Sequence, residues 1–176
     1  MTARRLIAAL VSVVALNVCT FGKGEDSMLA VGAAAPEFSL RSHTGQQVEL
    51  SSLRKTSYVV LIFYPGDETP VCTQQLCEIR DDYSRFKTKG AAVLGINPGS
   101  KKSHEKFATK HGFQYPLLID EKGDVAAAYG AKGLLGPKRT VYVIDKEGRI
   151  IFAQRGKPPV SEILAALPEA PTTAGE

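Results

Sequence analysis

The chain of 176 residues is 44% hydrophobic and 23% charged, which suits one globular domain with a sizeable core and excludes a disordered or fibrous class. Its formal net charge of +4 is modest, and its basic residues are scattered; the tight pair Lys101-Lys102 reads as a solvated helix face. With no basic patch interleaved with aromatics and no recognition motif, no nucleic-acid partner is expected.

The first feature in chain order is a leader. Arg4-Arg5 precedes an apolar run from Leu6 to Val18. Residues 4–18 thus have a positive start and a core of signal-peptide length, too short for a comfortable transmembrane helix. Leu16-Asn17-Val18-Cys19 resembles a bacterial lipoprotein cleavage box, although Asn17 and Val18 are larger than such a box prefers. The leader favours an exported, periplasmic or membrane-tethered protein that meets the membrane through this segment alone. The alternative is a cytoplasmic protein starting at Met28. Either way the domain spans 28–167, after a leader of 1–27 that contains Cys19 and before a loose tail of 168–176.

Alternation begins after Met28. Phe38–Leu40 and Val48–Leu50 read as short strands around a His43-Thr44-Gly45 turn. Tyr58–Tyr64 is a continuous apolar run ending at Pro65, a central strand covered on both faces. Cys72 to Lys89 has helical periodicity, with Leu76, Ile79, Tyr83 and Phe86 on one face and Gly90 as the stop. Ala91–Ile96 is a second buried strand. Ser100 is an N-cap opening a helix to about His111. Pro116–Asp120 is a short strand and Val125–Tyr129 a short helix. Thr140–Asp145 and Ile150–Ala153 form a hairpin, and Val160–Leu167 is a last helix. Strands alternating with helices, then a hairpin and a helix, predict a three-layer α/β domain with a mixed sheet. In such sheets sites gather where central strands end, and the stretch Tyr64-Pro65-Gly66-Asp67-Glu68-Thr69-Pro70-Val71-Cys72 lies at such an end.

Cys72 opens a helix, where amides lack intrahelical partners and the dipole favours a thiolate. Cys77 follows five residues later. On an intact helix the two Cα atoms lie roughly 8.5 Å apart on diverging faces, and a disulfide needs them within about 7 Å. The pair therefore bonds only if the first turns unwind, which suits sulfurs that react in sequence better than a static staple. A zinc site would need more ligands. His43, His104 and His111 show no ligand spacing; His104 and His111 read as surface helix residues and His43 as a turn residue. A cysteine protease, or two structural core cysteines, stays open on the residues alone. Thr69, one turn before Cys72, can reach the sulfur or simply cap the helix. Arg80 reads as a partner in a surface or structural ion pair.

Pro65-x3-Thr69-x2-Cys72, preceded by Phe63-Tyr64, resembles the active-site motif of the peroxiredoxins. With the second cysteine five positions on, the chain is similar to the bacterioferritin comigratory protein, or peroxiredoxin Q, subfamily. The resemblance runs from about Val31 to about Leu167. It includes Ala35-Pro36-Glu37-Phe38, Arg80-Asp81 and Arg139 before Thr140–Asp145. It implies a thioredoxin-like fold and thiol-dependent reduction of hydrogen peroxide and organic hydroperoxides. Cys72 would be the attacking sulfur and pass through a sulfenic acid. Thr69 and Arg139 would bind the peroxide and stabilise charge, Pro65 would shield the sulfur, and Val71 would border the substrate. Cys77 would resolve the sulfenic acid to a Cys72–Cys77 disulfide, which a thioredoxin-like partner would reduce. No metal, haem or flavin is implied, and an intramolecular pair is compatible with a monomer. Other classes to weigh are a peroxide-sensing redox switch and an exported thiol-disulfide oxidoreductase, the latter disfavoured by the spacing of the cysteines.

Overall fold

A computed structural model describes residues 27–169; the leader with Cys19 and residues 170–176 of the tail lie outside the described residues. Thirteen elements follow in chain order: β1 (Ser39–Ser42), β2 (Gln47–Glu49), α1 (Leu50–Leu53), β3 (Tyr58–Phe63), α2 (Pro70–Asp81), α3 (Tyr83–Thr88), β4 (Ala91–Asn97), α4 (Lys101–His111), β5 (Leu117–Ile119), α5 (Asp124–Ala128), β6 (Thr140–Ile144), β7 (Ile150–Arg155) and α6 (Val160–Ala165). The strands form one seven-stranded sheet in the order β2-β1-β5-β4-β3-β6-β7. β3, β4 and β5 run parallel, and β1, β2, β6 and β7 join antiparallel. This is the mixed-sheet α/β architecture the alternation predicts.

The sheet divides the core by the two-residue period of its strands. On β3, Val60 and Ile62, with Tyr64 just beyond it, face one apolar cluster together with Val141 and Val143 of β6, Leu76 and Ile79 of α2, and Phe107 of α4. Val59, Leu61 and Phe63 face the other, with Tyr142, Ile144, Leu50 and Tyr129. Helices α2, α3, α4 and α6 cover the first face, and α1, α5 and the segment before β1 cover the second. The continuous apolar run of β3 is thus the mark of a strand buried on both sides.

Two expected boundaries change. The helix predicted over Cys72 to Lys89 is two helices, broken at Asp82 (φ −94°, ψ 8°). Asp82 ends α2, opens α3, and its carboxylate takes Arg85 at 3.0 Å. The apolar positions keep their spacing across this break, so periodicity alone cannot reveal it. Leu50 opens helix α1 instead of ending a strand; its amide donates to Phe38 O and its carbonyl accepts from Arg54 N. Its full burial mimics an inward-facing strand residue. By contrast, Ser100 caps α4 as its position suggests, accepting from Ser103 N, and Gly112 ends that helix at φ 66°, where a residue with a side chain would be strained.

Candidate active site

The parallel run β3–β4 delivers the chain to a common edge, where β3 ends and the loop 64–69 leads into α2. Pro70 occupies the first turn of α2, where its missing N–H costs nothing. Cys72 follows two residues on and is fully buried. First-turn amides have no carbonyl partner within the helix and present a partial positive charge. Arg139 adds a full one: Nη2 donates to Cys72 Sγ at 3.1 Å, and Nη1 donates to Gln75 Oε1 at 2.6 Å. The sheet explains how residues 67 positions apart meet. β6 pairs antiparallel with β3 so that Phe63 faces Thr140, and one step further along that register brings Arg139 beside the start of the cysteine loop. Arg139 O also accepts from Gly156 N at 2.8 Å, tying its backbone to the chain after β7.

The other residues predicted for the site frame this pair. Thr69 is the N-cap residue of α2, but its side chain makes no capping bond; its hydroxyl donates to Gly66 O at 3.3 Å. The plain capping alternative for Thr69 is therefore not what the structure holds. Pro65 is exposed at the end of β3, and Gly136 of the 131–138 loop comes close to its backbone. Gly136 passes so near that a Cβ there would lie 2.8 Å from Pro65 O, and its φ is 108°, so a side chain is excluded on both counts. Val71, beside Cys72, is 51% exposed and borders solvent at the helix start.

Cys77 is on the same helix but in different surroundings. It is half-buried and unbonded, as Cys72 is unbonded, and its Sγ lies 3.8 Å from His111 Nδ1. The structure therefore places Cys72, Arg139, Gln75 and the 65–71 loop together and leaves Cys77 apart on the continuous helix. This is the separation that helical geometry requires.

The histidines correct the sequence reading. His104 is not a surface residue; it is fully buried, and its Nδ1 meets Asp67 Oδ2 at 2.7 Å. His111 is only 18% exposed at its side chain. His43 does stand in a turn, and its Nδ1 accepts from Leu117 N at 3.0 Å. His104, Phe107, Ala108 and His111 fall at i, i+3, i+4 and i+7, one inward helix face, and that spacing was the available signal.

Asp67 is a site residue that motif reading passes over. It collects Tyr64 Oη at 2.9 Å, Asn97 Nδ2 at 3.0 Å and Ser103 Oγ at 2.6 Å in addition to His104. Burial pushes its carboxyl up, but the hydrogen bonds from His104, Ser103 and Tyr64 outweigh that and hold it below the ordinary value. The loop before Cys72 is thereby fastened to β4 and to the first turn of α4. Gln75 is the other omission; it stands three residues after Cys72 on the same helix face, a spacing that could have identified it. Arg80 behaves as expected, pairing with Asp81 at 2.7 Å, and it also donates to His111 O at 2.6 Å. A groove of about 530 Å³ lined by Arg41, Pro98, Gly99, Ser100, Lys101, Ile119 and Glu121 opens nearby where β4 and β5 end, and neither sulfur lines it.

Comparison with known proteins places this arrangement. Residues 31–153 match the AhpC/TSA family. The chain is 44% identical over 132 residues to the chloroplastic peroxiredoxin Q of Arabidopsis thaliana, covering 72% of this chain and 61% of that one. It is 37% identical over 131 residues to peroxiredoxin Bcp of Bacillus subtilis, covering 70% of this chain and 83% of the relative. The chain thus spans less than two thirds of the chloroplastic relative but most of the bacterial one. The crystal structure of peroxidoxin BcpB from Mycobacterium tuberculosis superposes with a TM-score of 0.74 at 36% identity, over 79% of this chain and 96% of that one. The fold is accordingly thioredoxin-like, as in those peroxiredoxin structures.

Proposed function

This chain belongs to the AhpC/TSA family, among the Bcp and peroxiredoxin Q proteins, and we propose that it reduces hydrogen peroxide and organic hydroperoxides through Cys72. The observation that carries the reading is the Arg139 guanidinium 3.1 Å from Cys72 Sγ. A cation at that distance from a buried sulfur stabilises the thiolate, and the first-turn amides of α2 act in the same direction.

The thiolate attacks one peroxide oxygen and the O–O bond breaks. Cys72 becomes a sulfenic acid, and the second oxygen leaves as alkoxide or hydroxide and takes up a proton. Arg139 spans sulfur and bound peroxide and stabilises the charge that moves between them. The Thr69 hydroxyl turns from Gly66 O to the peroxide, Pro65 limits water at the sulfur, and Val71 borders the side from which the rest of the substrate enters. Cys77 then condenses with the sulfenic acid. This step needs the first turns of α2 to open, because both cysteines ride one unbroken helix. A thioredoxin-like dithiol restores both thiols by exchange.

Rapid-mixing measurement of peroxide consumption tests the proposal. Cys72→Ser should consume none, and Cys77→Ser should consume one equivalent and then stall with thioredoxin as the only reductant. Sustained thioredoxin-driven turnover by the Cys77 variant would remove that residue from its role. Rapid oxidation of Cys72 with no turnover under any reductant would favour the redox-switch class.

A further inference from the structure

The proposed chemistry gives Cys72 its charge partner but leaves unexplained how the second sulfur becomes a nucleophile. Cys77 lies past the first turn of α2, so the terminal amides that serve Cys72 do not serve it. What it meets is His111, on the last turn of α4: Sγ to Nδ1 is 3.8 Å. On its other side the same imidazole presents Nε2 to Glu68 Oε2 at 3.7 Å. Nε2 is buried and has no hydrogen-bond partner, and the carboxylate it faces is shared with the Lys110 ammonium, which holds the same Oε2 at 2.6 Å. Cys77, His111 and Glu68 thus follow one another as thiol, imidazole and carboxylate, the order in which a carboxylate orients an imidazole to take a proton from a nucleophile.

Glu68 comes from the peroxide-binding loop, next to Thr69. Its φ of 59° is the one positive value among described non-glycine residues. Such a backbone is sustained only when its surroundings hold it. Here Lys110 Nζ donates to Glu68 Oε2 at 2.6 Å, and that hydrogen bond is the chief reason the carboxyl sits below its ordinary value. The strained turn and the lysine aim the carboxylate at His111. Arg80 donates to the His111 carbonyl at 2.6 Å, so α2 also ties down the backbone that carries the imidazole. The charged or titratable groups facing His111 are Glu68 from the loop, Cys77 and Arg80 from α2, and Lys110 on its own helix.

We propose that His111 is the general base of the resolving step, with Glu68 as the residue that positions it. The inference rests on the peroxidase reading above. His111 Nδ1 takes the Cys77 thiol proton while α2 is still folded. Once the helix opens, the thiolate attacks the Cys72 sulfenic sulfur; an S–S bond forms and the S–O bond breaks. The Cys77 sulfur is oxidised and the Cys72 sulfur reduced to the disulfide level. Oxygen leaves as hydroxide and is protonated to water, and the imidazolium returns its proton to solvent or to that hydroxide.

The test follows the reduced full-length protein after mixing with one equivalent of hydrogen peroxide. The first phase reports sulfenic acid formation at Cys72, and the second reports the disulfide, checked by mass spectrometry of quenched samples. His111→Gln should slow the second phase about 100-fold at neutral pH and regain most of the wild-type rate at pH about 9.5, above the ordinary thiol value of about 8.5. Glu68→Gln, a substitution at an exposed side chain, should slow the same phase less and shift its pH profile. A structural clasp would do the opposite, because releasing α2 would speed the second phase. An unchanged or faster second phase in both variants, or slowing that alkaline pH does not relieve, overturns the proposal. Absence of the first phase in the wild-type protein would instead overturn the peroxidase reading, so the two failures are distinguishable.

Discussion

Cys72 and Cys77 belong to one helix five residues apart, yet their surroundings are built on different principles. Cys72 is fully buried and faces a permanent cation, Arg139, together with the dipole of a helix start. Cys77 is half-buried and faces a titratable ring, His111. A guanidinium keeps its charge over the whole working pH range, whereas an imidazole can accept and release a proton there. On the proposed chemistry, the first sulfur would be ionised before substrate arrives, and the second would lose its proton to a neighbouring base.

The contrast can be broken most sharply at Arg139. Arg139→Gln should lower the second-order rate with hydrogen peroxide by about 100-fold or more, since one aimed donor at a developing charge contributes on that scale. Disulfide formation after a slow manual oxidation should be little changed. If both steps fall together in rapid mixing, the cation serves the whole helix and the two sulfurs are not separately equipped.

Leu76 lies between the sulfurs, fully buried in the cluster under α2, and its carbonyl accepts from Tyr115 Oη at 2.7 Å. Leu76→Ala should cost about 2–5 kcal/mol of global stability, measured by urea unfolding of the reduced protein. Because the same contact holds the middle of α2 down, disulfide formation should be faster in this variant. A destabilised protein with an unchanged resolving rate would show that the opening is confined to turns before Leu76.

The smallest expected effect concerns the anchoring of the Cys72 loop. Asp67 has a folded-state value below its ordinary 3.8. Its ionised form therefore contributes stability at pH above about 3.8, and the contribution is lost as pH falls through the lower folded value. Acid should lower the thermal midpoint below about pH 4, with peroxide reactivity falling before global unfolding as the loop loosens. Asp67→Asn should flatten that acid limb in a series of melts from pH 5 to pH 2.5; an identical slope would assign the limb to other carboxylates.

Much of this was legible in the chain. The doubly buried β3 follows from an unbroken apolar run, the cap of α4 from Ser100, and the separation of the sulfurs from helix geometry applied to positions 72 and 77. The break at Asp82 was not legible, because both helices keep their apolar faces in phase. The burial of His104 was signalled only by its helical spacing with Phe107, Ala108 and His111, and the lysines around it made that face read as solvated.

The sequence by itself determined that two cysteines lie five residues apart near the start of one helix and that they cannot bond while it is whole. These are local matters, governed by dihedral geometry and spacing over a few residues. The tertiary structure alone decided their partners. Arg139 reaches Cys72 through the antiparallel register of β3 and β6, and His111 reaches Cys77 because α4 packs its last turn against α2. Partner choice depends on contacts between residues 34 and 67 positions apart, and nothing in local periodicity encodes which distant side chain will arrive at a given sulfur.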